Sequence, residues 1–147
     1  MTIPQEADLL TYIEQLMEHN DRVLLAIDGG SASGKTTLAA RLADRFRDTR
    51  VFHMDDFFLR PEQRTPDRFA EPGGNVDRER FLEEVLKPLS RGEAVAYRPF
   101  DCGTFTVGKP VSIRPGRLNI IEGAYSLHPD LAGFYDGSVF LRIDPVL

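Results

Sequence analysis

A glycine-rich segment at residues 29–36 carries the strongest chemical signal in the sequence. It reads Gly29-Gly30-Ser31-Ala32-Ser33-Gly34-Lys35-Thr36 and fits G-x-x-x-x-G-K-[ST], the pattern of a phosphate-binding loop, or P-loop. Glycines allow a tight turn with no Cβ against the phosphate, and successive N–H groups at the start of a helix attract anions. We therefore expect residues 29–37, including Thr37, to bind ATP, with Lys35 on the β- and γ-phosphates and the Thr36 hydroxyl on Mg²⁺.

Acidic residues follow two further apolar runs of the sequence. Asp55 and Asp56 come after the run 51–54, where Asp55 is placed to accept a proton from a hydroxyl that attacks the γ-phosphate. An aspartate pair that merely opens a turn is an equally weighted alternative at this point. Glu122 follows the run 118–121 and is a candidate holder of the Mg²⁺ water shell, the alternative being a plain carboxylate at a strand end. Asp55 is also a candidate near the metal.

A segment of short predicted strands at 94–114 supplies candidates for binding a second substrate. The segment contains Arg98, Phe100, Asp101 and Phe105. Two aromatic residues with an acidic residue between them on a flap can bind a sugar or a base. A hairpin with its own small core is an equally good interpretation. Outside the flap, we expect Asp28 to hold backbone amides of the glycine-rich loop.

The alternation of apolar runs predicts an α/β fold with a mostly parallel sheet covered on both faces. Ligands in such sheets bind at the carboxyl ends of the strands, which is where the residues above fall. His53 lies inside a predicted strand and is expected to be a packing residue, and Pro88 is expected to end a helix that starts near residue 78. The predicted helices are 4–19, 35–47, 78–87 and 129–134, and the predicted strands are 23–27, 51–54, 94–97, 104–107, 111–113, 118–121 and 139–143.

Composition predicts a single domain and excludes several classes of protein. The chain has 147 residues, of which 41% are apolar and 28% charged, with a formal net charge of −5. The 18 basic and 23 acidic residues are well mixed, which argues against a nucleic-acid-binding surface. The sequence contains no run of 18 apolar residues, so it predicts no membrane-spanning helix. The lone cysteine, Cys102, fits a reducing compartment such as the cytoplasm. Whether copies of the chain form a homo-oligomer stays open.

Three blocks of the sequence together resemble the uridine kinase and nicotinamide riboside kinase branch of the P-loop kinases. They are residues 28–37, the block His53-Met54-Asp55-Asp56-Phe57-Phe58, and Ile121-Glu122-Gly123. The resemblance implies a P-loop three-layer sandwich, with residues 94–114 inserted as a short β-strand substrate flap. It further implies ATP- and Mg²⁺-dependent phosphorylation of a small molecule's hydroxyl, typically the 5′-OH of a ribonucleoside. Asp55 would be the catalytic base beside the catalytic Lys35, Glu122 the acid near Mg²⁺, and Phe58 an acceptor contact.

Two departures from the family pattern concern the acceptor. Phe100 stands where the family has a tyrosine, and Phe105 falls near the position of a base-recognising histidine. A phenyl ring donates no hydrogen bond, so these residues weigh against uridine itself as the acceptor. The family's ribose-binding aspartate before a proline has Glu71, before Pro72, as its nearest candidate.

A third departure is the length of the chain. The family continues with an arginine-bearing lid and a strand near the adenine, so the resemblance predicts that these elements are missing from the 147 residues. Two alternatives to a small-molecule kinase stay open. One is a P-loop NTPase or regulator that uses water, and the other is a non-catalytic ATP-binding fragment.

Overall fold

The computed structural model describes residues 3–30, 33–101, 103–104 and 106–142. Ser31, Ala32, Cys102 and Phe105, which entered the sequence predictions, lie outside the described residues. The helices are α1 (Ile3–His19), α2 (Lys35–Arg45), α3 (Pro66–Ala70), α4 (Arg78–Phe81), α5 (Lys87–Ser90) and α6 (Pro129–Ala132). The strands are β1 (Val23–Gly29), β2 (Thr49–His53), β3 (Val95–Tyr97), β4 (Phe100–Asp101), β5 (Thr106–Val107), β6 (Val111–Ile113), β7 (Leu118–Glu122) and β8 (Gly137–Leu141).

A four-stranded parallel sheet in the order β2-β7-β1-β8 forms the centre of the molecule. β1 and β7 are buried along their whole length, as expected for parallel strands covered on both faces. β7 lies between β1 and β2, so the last residues of these three strands share one edge of the sheet. This edge carries the glycine-rich loop and both groups of candidate acidic residues.

Apolar side chains on the two faces of the sheet form two separate cores. On one face, Val23, Leu25 and Ile27 of β1 pack with buried residues of α1 and α2. On the other face, Leu24 packs in a core with Phe57 and residues from the segment around α4 and α5. Successive residues of a strand point to opposite faces, so the continuous apolar run of β1 serves both cores. The α/β fold with a parallel sheet between helices agrees with the sequence prediction.

The sequence predicted that the helix starting near residue 78 would end before Pro88. In the structure, the helical segment continues past this residue. α4 passes into a π-helical turn, Leu82–Leu86, in which the N–H of Lys87 bonds to the carbonyl of Leu82. α5 then begins, with Pro88 in its first turn. A proline is tolerated there because its missing N–H has no partner in a first helical turn. The π turn therefore lets the segment continue to Ser90.

Short antiparallel strands occupy the segment 94–114. β3 pairs with β6, and β4 pairs with β5 inside that outer pair. Tyr97 at the end of β3 is buried against Phe52 and Phe57, so the segment is anchored to the core beside β2. Within the part of the chain that the structure describes, no helix is long and apolar enough to cross a membrane.

Candidate functional site

The described residues of the glycine-rich loop adopt a tight backbone that requires glycine at two positions. Gly29 has φ 153°, and a Cβ there would lie 2.6 Å from the carbonyl oxygen of Leu141. Gly34 has φ 92°, a left-handed conformation, and its carbonyl accepts the first bond of α2 from Leu38 N–H at 2.9 Å. Lys35 Nζ donates to the Gly30 carbonyl at 2.7 Å, across the loop. The glycines thus bring the lysine and the start of an 11-residue helix to one place.

Ser33 adds a second polar group to this loop. Its N–H donates to the Gly30 carbonyl at 3.3 Å. Its Oγ atom is buried and has no hydrogen-bond partner within the described part of the chain. A buried hydroxyl without a partner is costly unless another group satisfies it. The loop therefore has an unmet capacity to hydrogen-bond a ligand, which fits the phosphate-binding role expected from its sequence.

The parallel register of β2 and β7 places His53 beside Glu122. The two residues are direct partners across the strands, and His53 Nδ1 lies 2.6 Å from Glu122 Oε1. Glu122 is 2% exposed. The hydrogen bond to this carboxylate raises the pKa of His53 above its ordinary value, against the opposing effect of burial. His53 is therefore not the packing residue that the sequence suggested.

Glu122 also reaches the start of α2, directly after the glycine-rich loop. Thr36 Oγ1 lies 3.4 Å from Glu122 Oε1, so a hydroxyl from the start of α2 and a carboxylate from the end of β7 converge. Mg²⁺ prefers oxygen ligands and usually takes only one or two carboxylates, completing its shell with water and phosphate oxygens. The described residues hold no cluster of three or more His, Cys, Asp or Glu that could bind a metal by themselves. The pair Thr36 and Glu122 fits Mg²⁺ held jointly with a phosphate.

Asp55 lies in the same cleft as these residues. It belongs to a 3₁₀ turn, Met54–Asp56, that directly follows β2, and its side chain is exposed. The cleft has a volume of about 470 Å³. Its lining residues are Gly34, Lys35, Thr36, Thr37, Asp55, Glu122 and Ala124. The structure thus brings together the lysine, the threonine and both acids on which the sequence prediction depends.

Tyr97 fixes the turn that carries Asp55. Its hydroxyl accepts the N–H of His53 at 3.2 Å and donates to Asp56 Oδ2 at 2.5 Å. Burial and the hydrogen bond to Asp56 raise the pKa of Tyr97, so the hydroxyl keeps its proton at neutral pH. Asp55 lies between the two residues that this single hydroxyl ties down. Sequence reasoning missed both Tyr97 and the role of Asp56, because nothing local links residue 97 to residues 53–56.

Asp28 accepts hydrogen bonds from more backbone N–H groups than the sequence suggested. Its carboxylate accepts the N–H of Gly29 at 2.6 Å, as expected for a residue that holds the glycine-rich loop. It also accepts the N–H groups of Tyr125 at 3.0 Å and Leu127 at 2.9 Å. These two amides belong to the loop that follows Glu122. One buried carboxylate therefore joins the phosphate loop to the loop after β7.

The candidate acceptor residues lie apart from this cleft. Among the described residues, none of Phe58, Arg98, Phe100 and Asp101 lines it. Arg98 makes a two-point ion pair with Glu84, at 3.0 and 2.7 Å. Phe100 is buried, and Asp101 accepts the N–H of Gly103 within its own turn.

Two further acceptor candidates of the sequence have other surroundings. Phe58 is half-buried and bridges to Val76. Glu71, the nearest match to a ribose-binding acid, pairs with Arg78 at 3.0 Å. The roles suggested for these residues and for the segment 94–114 stay predictions.

Comparison with known proteins finds several relatives that are named as uridine kinases or uridine kinase-like proteins. The sequence matches no protein-family model. It is 26% identical to uridine kinase-like protein 3 of Arabidopsis thaliana over 136 residues, which cover 86% of this chain and 29% of that protein. It is 27% identical to a uridine kinase of Clostridium novyi over 131 residues, which cover 83% of this chain and 62% of that protein. The chain thus spans less than two thirds of the length of either curated relative.

A solved structure supports the same grouping. The structure of a possible uridine kinase from Bacillus stearothermophilus superposes with a TM-score of 0.73 and 27% identity, over 95% of this chain and 84% of that one. The structural similarity therefore extends over most of the chain. In sequence and in structure, the chain is therefore similar to uridine kinase-like P-loop proteins.

Proposed function

We propose that this protein transfers the γ-phosphate of ATP to a hydroxyl of a small molecule, with a nucleoside or riboside as the favoured class of acceptor. The observation that carries the proposal is the convergence of Lys35, Thr36, Glu122 and Asp55 on one cleft. The first three suit a metal-bound polyphosphate, and the fourth is an exposed carboxylate beside it. A carboxylate base can activate water as well as an alcohol, so the dependence of ADP release on an acceptor is what distinguishes this proposal from an NTPase.

Asp55 has the properties of a general base in this cleft. Its carboxylate is exposed, while its neighbour Asp56 is engaged by Tyr97. An acceptor hydroxyl beside Asp55 would give its proton to that carboxylate while its oxygen bonds to the γ-phosphorus. The bond from that phosphorus to the bridging oxygen breaks in the same displacement, and ADP leaves with the electron pair. Asp55 later returns the proton to solvent.

The negative charge of the phosphate groups would be offset during the transfer by Lys35 and by the Mg²⁺ that Thr36 and Glu122 would hold. Lys35 Nζ is already within hydrogen-bond reach of the loop at 2.7 Å, where it would meet phosphate oxygens and offset their growing negative charge. Thr36 and Glu122 are the residues that would hold Mg²⁺, directly or through its water shell. When bound, that ion neutralises charge on the β- and γ-phosphates. His53 orients Glu122 through the 2.6 Å hydrogen bond.

A coupled assay of ADP release tests the proposal. The chain is incubated with Mg·ATP and a panel of ribonucleosides, other ribosides and simple alcohols. We expect ADP release only with an acceptor, and loss of turnover in Lys35→Ala. Asp55→Asn should bind ATP as the parent does and turn over roughly 10²- to 10⁴-fold more slowly, the usual contribution of a general base. Asp67→Asn, a change at an exposed residue of α3, is the matched control and should keep parental rates.

Three outcomes would contradict this proposal. ADP release that does not depend on an acceptor would indicate an NTPase. Nucleotide binding with no turnover on any acceptor would indicate a binding module. Parental turnover in Asp55→Asn would show that another group takes the proton.

A further inference from the structure

A second cleft lies at the opposite edge of the sheet from the phosphate loop. It has a volume of about 430 Å³ and is lined by residues next to the first residues of β1 and β7, among them Arg22 and Arg117. Because β1 has seven residues, the two edges are about 20 Å apart at the rise of a strand. The cleft is therefore separate from the site proposed for ATP and its acceptor.

Arg117 contributes a guanidinium group that forms no ion pair with a carboxylate among the described residues. Its guanidinium donates to the carbonyls of Met17 at 2.8 Å and Asn20 at 2.6 Å, and also to that of Asp21. These are uncharged acceptors at the end of α1. They hold the guanidinium in place without neutralising its formal charge.

Arg22 and Arg114 add two further guanidinium groups to the lining. Within the described part of the chain, neither has a hydrogen-bond or ion-pair partner. Arg22 is nevertheless positioned, because its guanidinium lies against the backbone of Gly92. A Cβ at that glycine, which has φ +74°, would come within 2.7 Å of Arg22 Nη1. Glycine therefore allows both the turn and the approach of the arginine.

The acidic residues of the cleft do not balance these charges. Asp48 pairs with Arg50 at 3.2 Å and accepts the N–H of Arg117 at 3.1 Å. Asp21 is exposed at the rim. Within the described residues, the lining thus holds three arginines and one aspartate, Asp21, that forms no ion pair with an arginine. Guanidinium groups bind phosphate oxygens in a two-point geometry, and the volume is within the range of small-ligand sites.

We propose that this cleft binds a small anion that carries a phosphate or polyphosphate group, through Arg22, Arg114 and Arg117. The site goes beyond the proposed phosphotransfer and does not depend on it. A ligand there would contact the turns that lead into β1 and β7, whose other ends carry the phosphate loop and Glu122.

Calorimetric titration with inorganic pyrophosphate tests the site. This probe carries only phosphate groups, so it can bind at both anion sites and has no base or sugar that would favour one of them. We expect the parent to bind two molecules per chain. Lys35→Ala should still bind pyrophosphate in the cleft lined by Arg22, Arg114 and Arg117. The double variant Arg22→Gln/Arg114→Gln should still bind pyrophosphate at the glycine-rich loop, but its affinity for pyrophosphate in the cleft should fall at least tenfold.

Matched variants separate a specific site from general attraction of anions. Arg47→Gln/Arg91→Gln removes the same charge from exposed residues outside the cleft and should keep both sites at constant ionic strength. Arg22→Lys/Arg114→Lys keeps the charge without the forked donors and should bind with intermediate affinity. Thermal unfolding of each variant verifies folding. Two parental sites in Arg22→Gln/Arg114→Gln, or equal weakening in the Arg47/Arg91 control, would overturn the proposal.

Discussion

The hydroxyl of Tyr97 lies 2.5 Å from Asp56 Oδ2, although the two residues are 41 positions apart. Tyr97 belongs to the short-strand segment and Asp56 to the turn after β2. The contact therefore couples the segment that the sequence suggested as a substrate flap to the turn that presents Asp55.

Tyr97→Phe tests this coupling. The phenyl ring keeps the packing against Phe52 and Phe57, but it leaves Asp56 and the N–H of His53 without their partner. We expect the free energy of unfolding to fall by about 1.5–3 kcal/mol, the cost of a lost hydrogen bond to a charged group. The kcat of phosphotransfer should fall about tenfold or more, while the Kd for ATP stays at the parental value.

The matched control for this variant is Tyr135→Phe. The hydroxyl of Tyr135 donates to the carbonyl of Ser126 at 2.8 Å, so the control also loses one tyrosine hydrogen bond. It should lose stability without the same loss of kcat. An equal loss of kcat in both variants would mean that Tyr97 acts through general stability alone.

Glu122→Gln tests the role of the carboxylate at the end of β7. The amide keeps the shape of the side chain but lacks the charge that faces Thr36 and His53. We expect the Mg²⁺ concentration for half-maximal activity to rise about 10- to 100-fold, the usual effect of changing a group that orients a metal's ligands. Glu83→Gln, which alters an exposed carboxylate paired with Lys87, should leave the Mg²⁺ dependence as it is. An unchanged requirement in Glu122→Gln would remove this residue from the metal site.

Gly123→Ala tests the close approach between the loop after β7 and the turn after β2. A Cβ at Gly123 would lie 2.7 Å from Met54 Cβ, and Met54 begins the turn that holds Asp55. Relieving this overlap requires a backbone shift, so we expect a loss of about 1–3 kcal/mol in urea unfolding and a lower kcat. At Gly133 a Cβ would meet no atom within 4 Å, and Gly133→Ala should change stability by about 0.5 kcal/mol or less. Parental stability in Gly123→Ala would show that the two loops yield without cost.

The ion pair between Arg68 and Glu79 predicts a pH dependence of stability. Two hydrogen bonds from the guanidinium of Arg68 lower the pKa of Glu79 to about 2. A carboxylate whose pKa is lower in the folded state stabilises the fold above its unfolded pKa, here about 4.5, and loses that contribution as the pH falls towards 2. In urea unfolding between pH 5 and 2, the stability of the parent should therefore fall more steeply than that of Glu79→Gln. Identical slopes would contradict the assignment.

The sheet and the turn of the glycine-rich loop into a helix were predictable because their signals are local. Leu24, Leu25 and their neighbours form a run that suits a strand buried on both faces, and the glycines of the loop meet a strict spacing. The same holds for the position of Asp55 and Glu122 at strand ends, since parallel strands bring those ends to one edge.

The connections between distant segments were not predictable in the same way. His53 and Glu122 become partners only once the register of β2 on β7 is set, and Tyr97 reaches Asp56 only when the short-strand segment folds onto the sheet. The prediction that Pro88 ends a helix was wrong for a different reason. The π turn before it changes the hydrogen-bond pattern so that its missing N–H does no harm.

The strand order has a consequence for the dimensions of the site. One strand, β7, separates β1 from β2, and neighbouring strands are about 4.8 Å apart. The end that leads into the phosphate loop and the end that leads into the turn of Asp55 are thus held about 10 Å apart by backbone hydrogen bonds alone. The sheet therefore fixes the distance between the donor and acceptor sites that we propose, and changes in the surrounding loops can alter what is bound without altering that distance.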